Sequence, residues 1–392
     1  MKISKRALDV APFYAMEFGK RAAELEEKGI DVIKLSLGEP DFGAPPAVLE
    51  AARNSVDEGV FPYTSALGLL TLRQAIAEFY LTAHGVEVSP YRIVVTAGAS
   101  AALLLVTAAL VEPGDEVMVG DPSYPCNRHF LTSFGGRVNL VPTTAASRFQ
   151  LDADLVQAYW TEQTCGLMIA TPSNPTGTSI PPDELKNICN WARRHDAWRI
   201  VDEIYLNLGD PGPDGRPPQT VLSFDQDAIV INSFSKYFGM TGWRLGWCVV
   251  PDVLVPTMER LAQNYYICPS AISQQAALAC FTQRSLDVCE MRRREFVRRR
   301  ELVLSGLKCV GLPVPVSPDG AFYVYFDVSH TGMTAWQFCE LALQEAYVAL
   351  TPGKDFGDCG AEIYVRLSYA ASTDSLGEAI KRLGRLMAQL KR

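Results

Sequence analysis

Short runs rich in Val and Ile recur along the chain. Each is followed by a turn containing Gly, Pro, Ser or Asn and then by a longer stretch with helical spacing. The runs are RIVVTAG (92–98), DEVMVGDPSYP (115–125), GLMIATPSNP (166–175), WRIVDEIY (198–205), AIVINSFSK (228–236) and GWCVVP (246–251). They are almost continuously apolar rather than alternating, which predicts strands buried on both faces, as in a mostly parallel sheet flanked by helices. The C-terminal part has a different rhythm: strand patterns at 321–328 and 363–370 lie between helical patterns at 283–308, 334–346 and 374–391. This predicts a second, smaller α+β layer.

In open α/β sheets, ligands collect where the carboxyl ends of strands hand over to loops. Those ends carry Gly98-Ala99-Ser100, Asp121 to Tyr124, Ser173-Asn174-Pro175, Asp202 with Tyr205, and Ser233, Ser235 and Lys236. Gly98-Ala99-Ser100 opens a helical pattern, so backbone N–H groups there suit an anion. Neither the G-x-G-x-x-G of a dinucleotide site nor the GK[ST] of a P-loop is present. Lys236 follows an apolar strand and two serines, Ser233 and Ser235, and precedes Arg244 by eight residues. Desolvation at such a position disfavours the ammonium, and a neutral amine is what a Schiff-base lysine requires. Asp202 is placed to pair with a protonated pyridine nitrogen, with Tyr205 and Asn174 near a ring oxygen. Read alone, Asp202 serves equally as a cap or turn former.

Composition narrows the field. The 392 residues are 48% hydrophobic, with 36 Lys+Arg against 44 Asp+Glu and a net charge of −8. The length suits two domains or one large domain with a smaller one attached. The acidic balance gives no footprint for nucleic acid or an anionic membrane. The one basic run, 292–300, is interrupted by Glu295 and flanked by Glu290 and Glu301, and is expected to form a solvated helix face. Ten scattered cysteines without C-x-x-C indicate a reducing compartment, and four unclustered histidines give no metal site. The N-terminus has no continuous apolar segment or cleavage-like end, and the apolar stretch 101–111 is too short to span a bilayer, so a cytoplasmic protein is expected.

The set resembles the class I/II aminotransferases, pyridoxal-phosphate (PLP) enzymes of fold type I. The resemblance covers nearly the whole chain: LSLGEPDF (35–42), PYTSALGLLTLRQAI (62–76), TAGAS (96–100), DPSYP (121–125), SNPTG (173–177), DEIY (202–205), SFSKYFGMTGWRLGW (233–247), GAFYVYFDV (320–328) and YVRLSYA (364–370) stand in family order. It implies a large PLP-binding domain over 44–280, and a small domain built from 1–43 and 281–392.

The resemblance also implies roles. Lys236 forms the Schiff base and shuttles protons in a ping-pong exchange between an L-amino acid and a 2-oxo acid. Asp202 holds the pyridinium proton, Asn174 and Tyr205 bond the ring oxygen, and Tyr124 stacks on the ring. Ala99, Ser100, Ser233, Ser235 and Arg244 hold the phosphate, and Tyr63 reaches the phosphate of the neighbouring subunit of a homodimer. Arg366, with Asn174 and Gly38, clamps the substrate carboxylate. Some aspartate aminotransferases of the family carry Lys where this chain has Ser100, which weakens an aspartate or prephenate assignment. Related carbon–sulfur β-lyases, the alternative reading, tend to carry N-P-H-N-P where this chain has TPSNP. Phe13, Tyr14 and Met16 lie over the substrate in one reading and serve as packing in the other.

Overall fold

The computed structural model describes residues 1–212 and 215–390. Its strands are β1 (Ile33–Lys34), β2 (Ile93–Thr96), β3 (Glu116–Asp121), β4 (Arg137–Pro142), β5 (Thr164–Ala170), β6 (Trp198–Asp202), β7 (Ile229–Ser233), β8 (Gly246–Val249), β9 (Tyr323–Asp327), β10 (Val348–Ala349), β11 (Thr351–Pro352) and β12 (Tyr364–Ser368). Seven of them form one sheet in the order β2-β8-β7-β6-β5-β3-β4. The neighbours β4, β3, β5, β6 and β7 pair in parallel, whereas β8 runs antiparallel to both β7 and β2.

The near-continuous hydrophobicity of these strands has a direct structural cause. Met118, Leu167, Ile169, Val201 and Val230 enter one buried cluster, and Val117, Val119, Met168, Ile200 and Ile229 enter another on the opposite face. A strand with period-two geometry and two covered faces must be apolar at every position. β4, at one edge of the sheet, escaped the sequence pattern because its faces are incompletely covered: Val138, Asn139 and Leu140 are half-buried and Arg137 is exposed, whereas β2 at the other edge is fully buried.

The second layer is a three-stranded antiparallel sheet in the order β11-β12-β9, with β1 and β10 forming a short parallel pair beside it. Ile33 pairs with Val348, so the N-terminal segment is joined to the C-terminal part. Helices 283–310, 335–345 and 373–390 cover this layer. The expected helix 374–391 therefore starts one residue early, and its residue 391 lies outside the described residues.

The basic run 292–300 corrects the expectation of a solvated face. Arg299 is buried and bonded to Asp41 and Glu295, Arg300 is paired with Asp210, and Arg292 donates to the Gly43 carbonyl. Arg292, Arg299 and Arg300 thus fasten helix 283–310 to segments 41–43 and 210, whereas Arg294 and Arg298 are exposed, so only part of the run forms a solvated face. All ten cysteines are free thiols. Among the described residues no helix is long and apolar enough to cross a membrane.

Candidate active site

The carboxyl ends of β5, β6 and β7, the start of helix Ala99–Leu110 and β12 surround one cavity of about 410 Å³. It is lined by Gly38, Ala99, Ser100, Tyr124, Asn174, Asp202, Tyr205, Ser233, Ser235, Lys236, Arg244 and Arg366. Every site residue expected from the sequence is thus brought together except Tyr63, which lies elsewhere on the surface and is 79% exposed. Phe13 and Met16 also line the cavity, whereas Tyr14 packs edge-on against Trp336.

The segment between β7 and β8 carries two of the cations. Phe234 N–H and the Ser233 hydroxyl both donate to the Leu245 carbonyl, at 3.1 and 3.2 Å, which closes the segment at its base. Lys236 donates from Nζ to the Gly38 carbonyl at 2.6 Å. Burial lowers its ammonium to about 8; Glu39 opposes that shift and Arg366 adds to it. Arg244 adopts a left-handed backbone with φ 52 and donates to the Thr241 carbonyl at 2.9 Å.

Its guanidinium lies at the open end of helix Ala99–Leu110, where the first intrahelical bond runs from Ala101 N–H to the Gly98 carbonyl. The N–H groups of Ala99 and Ser100 precede that bond, and with the helix dipole behind them they suit an anion. Gly98 is favoured here by its φ of +88, and a Cβ would fall 2.6 Å from Arg244 Nη2, so that the guanidinium would have to shift.

Asp202 ends β6 and accepts from Ile204 N–H at 3.1 Å. Burial pushes its carboxyl up to about 7 against that bond and the Lys236 charge. The turn-forming reading of the sequence is met by that bond, and the carboxyl, buried with its pKa raised, lies where a cationic ring nitrogen would meet it. The Tyr205 hydroxyl lies 2.7 Å from that of Tyr323.

Arg366 is 1% exposed and forms no salt bridge among the described residues. It donates to Asn174 Oδ1 at 2.8 Å, to the Ser36 carbonyl and to Thr351 Oγ1 at 3.3 Å, while Nε has no partner. A buried guanidinium without a carboxylate is costly, and its fork matches an incoming carboxylate. Because Asn174 Oδ1 is committed to Arg366, its amide NH2 is what it offers a ligand. Sequence reasoning missed Tyr323, Thr351 and Ser36, which hold Tyr205 and Arg366 in place. Tyr323 lay inside a strand pattern whose apolar character gave no signal for a polar role.

This donor set fits PLP: an amine for the aldehyde, an acid for the pyridine nitrogen, hydroxyl and amide donors for the ring oxygen, and a cation plus helix start for the phosphate. The family model for aminotransferase class I and II matches residues 30–383. The chain belongs to this family. It is 39% identical over 377 residues to a valine–pyruvate aminotransferase of Mycobacterium tuberculosis, covering 96% of each chain. It is 36% identical to an aromatic-amino-acid aminotransferase of Thermococcus litoralis, covering 93% of this chain and 94% of the other.

Among solved structures, an aminotransferase from Mycobacterium tuberculosis superimposes with a TM-score of 0.94 at 38% identity, covering 99% of this chain and 100% of that one. The aspartate aminotransferase of Thermus thermophilus with maleate gives a TM-score of 0.92 at 34% identity, covering 98% and 100%. The fold is therefore fold type I, and the chain is a PLP-dependent aminotransferase. The relatives named here are all aminotransferases, which supports transamination over the β-lyase alternative.

Proposed function

We propose that this aminotransferase exchanges the amino group of an L-amino acid with an uncharged side chain for that of a 2-oxo acid, by a ping-pong route through Lys236. The observation that carries this reading is the joint placement of Lys236, Asp202, Tyr205, Asn174 and Arg366 around one cavity. PLP, when bound, supplies an electron sink for the pair released when the substrate Cα–H bond breaks. Asp202 would hold the proton on the ring nitrogen, Tyr205 and Asn174 would donate to the ring oxygen, and Tyr124 would stack on the ring. Ala99, Ser100, Ser233, Ser235 and Arg244 hold the phosphate.

Arg366, with Asn174 and Gly38, holds the substrate carboxylate, which fixes the Cα–H bond relative to the ring. Lys236, its amine poised near neutral pH, takes the proton at Nζ and returns it. The cations lining the cavity among the described residues are Lys236, Arg244 and Arg366, and each already has a task. The remaining wall includes Phe13, Met16, Leu37 and Ile204, which supports an uncharged donor side chain.

The working unit in this reading is a homodimer in the cytoplasm. Tyr63 and its neighbours Val60 and Phe61 are exposed, as expected if they meet a second subunit, and ten free thiols suit a reducing compartment. We assign 44–280 to a PLP-binding domain and 1–43 with 281–392 to a small domain, and place the enzyme in amino-acid metabolism, in a biosynthetic role.

The test is the visible spectrum of purified protein with added PLP, followed by L-amino acids one at a time. One donor should convert the bound cofactor to its amine form, and a 2-oxo acid should restore it. Conversion by aspartate in preference to neutral amino acids overturns the donor class. Release of ammonia without an added oxo acid would establish the lyase chemistry instead.

A further inference from the structure

Tyr323, on β9, is fully buried and lines the cavity. Three parts of the site converge on it. Its hydroxyl is 2.7 Å from that of Tyr205, with either oxygen able to donate. The Arg366 guanidinium lies 4.7 Å from its ring centroid. A Cβ on residue 38 would fall 2.2 Å from its oxygen, so Gly38 leaves the space the hydroxyl fills.

We propose that Tyr323 is a positioning residue that sets the direction of the Tyr205 hydroxyl, donating to Tyr205 Oη so that Tyr205 donates to the cofactor's ring oxygen. The inference rests on the assignment of Tyr205 to that oxygen. A phenol carries one proton. Once the ring oxygen takes the Tyr205 proton, the 2.7 Å contact is satisfied only if Tyr323 is the donor. The Arg366 charge lies over the Tyr323 ring and opposes the rise that burial imposes on that phenol, which strengthens it as a donor; it acts on Tyr205 in the same direction. A hydroxyl that accepts a hydrogen bond in a buried chain is in turn a stronger donor. Tyr323 thus acts on the ring oxygen through Tyr205 without touching it.

The readout is the pH midpoint of the bound cofactor's visible band in the holoenzyme. Tyr323→Phe keeps the ring beneath Arg366 and removes only the donor. Weaker donation from Tyr205 leaves the ring oxygen more basic, so the midpoint should rise by roughly half a pH unit, a fraction of one net hydrogen bond. In a Tyr205→Phe background, Tyr323→Phe should move the midpoint no further, as for two members of one chain. An unmoved midpoint in the single variant overturns the inference, as does an equal shift in both backgrounds.

If Tyr323→Phe does not retain the cofactor, fluorotyrosine at position 323, a more acidic donor, replaces it. The midpoint should then fall, and a constant midpoint overturns the inference. A wild-type protein that shows no visible band with PLP overturns the cofactor assignment itself, an outcome distinct from a band whose midpoint ignores Tyr323.

Discussion

Lys236 shows how one residue's chemistry is set by its surroundings. Desolvation brings its amine to about 8, and only the neutral form attacks an aldehyde. The neutral fraction rises as pH passes through that value, so the rate of PLP capture by apoprotein should climb roughly tenfold between about pH 7 and 9. Stopped-flow absorbance measures it, and a flat profile would mean that the amine is not the titrating group. Gly98 makes the complementary point at the phosphate end. Gly98→Ala combines a positive φ with a Cβ 2.6 Å from Arg244 Nη2, and should weaken PLP binding by on the order of tenfold. Equilibrium titration of apoprotein reads this directly, while the pH dependence of capture should remain.

At the scale of elements, the strand ends were legible and the braces behind them were not. Lys236, Asp202 and Asn174 stood out because polar groups interrupt apolar runs. Glu203 did not, although it is buried beside Asp202 and accepts from the Thr220 hydroxyl at 2.8 Å and Val221 N–H at 2.7 Å. Its partners are 17 and 18 residues away, a distance that no local pattern encodes. Burial raises its carboxyl to about 7 from 4.5, so in that window the folded state binds more protons than the unfolded one. The stabilisation from this group is present at low pH and is lost as pH rises through about 7. Glu203→Gln should therefore flatten the pH dependence of stability, as measured by urea unfolding at about pH 5 and 8.

Asp355 is a second hidden brace, accepting from the N–H groups of Tyr14 and Ala15 at 2.8 and 3.1 Å and so capping helix 14–26 beside the cavity. Asp355→Ala should speed hydrogen exchange across the first turn of that helix by roughly tenfold, equivalent to about 1–2 kcal/mol of lost capping. The short strands β1, β10 and β11 were illegible for a related reason: two-residue strands carry no period and form only because distant segments meet.

For the whole molecule, the division into a large parallel layer and a smaller mixed one followed from two hydrophobic rhythms, and the site falls where they meet. Residues from β6, β7 and the start of helix Ala99–Leu110 face Arg366 of β12 across one cavity. Tyr63 is the expected site residue that this single chain does not bring in, and its exposure leads to a prediction about assembly. Light scattering should give twice the 43.0 kDa chain mass, and Tyr63→Phe should weaken PLP retention without lowering that mass. A monomer with full activity would remove Tyr63 from the site.

The reversed strand β8 has one more consequence. Its antiparallel return makes the link from Ser233 to Gly246 a closed loop rather than a helical crossover, so Lys236 and Arg244, the proposed covalent anchor and phosphate cation, share one short piece of chain fastened at its neck. Their spacing is therefore an internal property of that loop. Side-chain exchanges elsewhere in the cavity can alter which molecules enter without changing it, whereas inserting a single residue between positions 237 and 243 would uncouple the two attachment points at once. The fold thus separates a fixed mounting from a variable wall, and redesign of donor preference belongs to the wall.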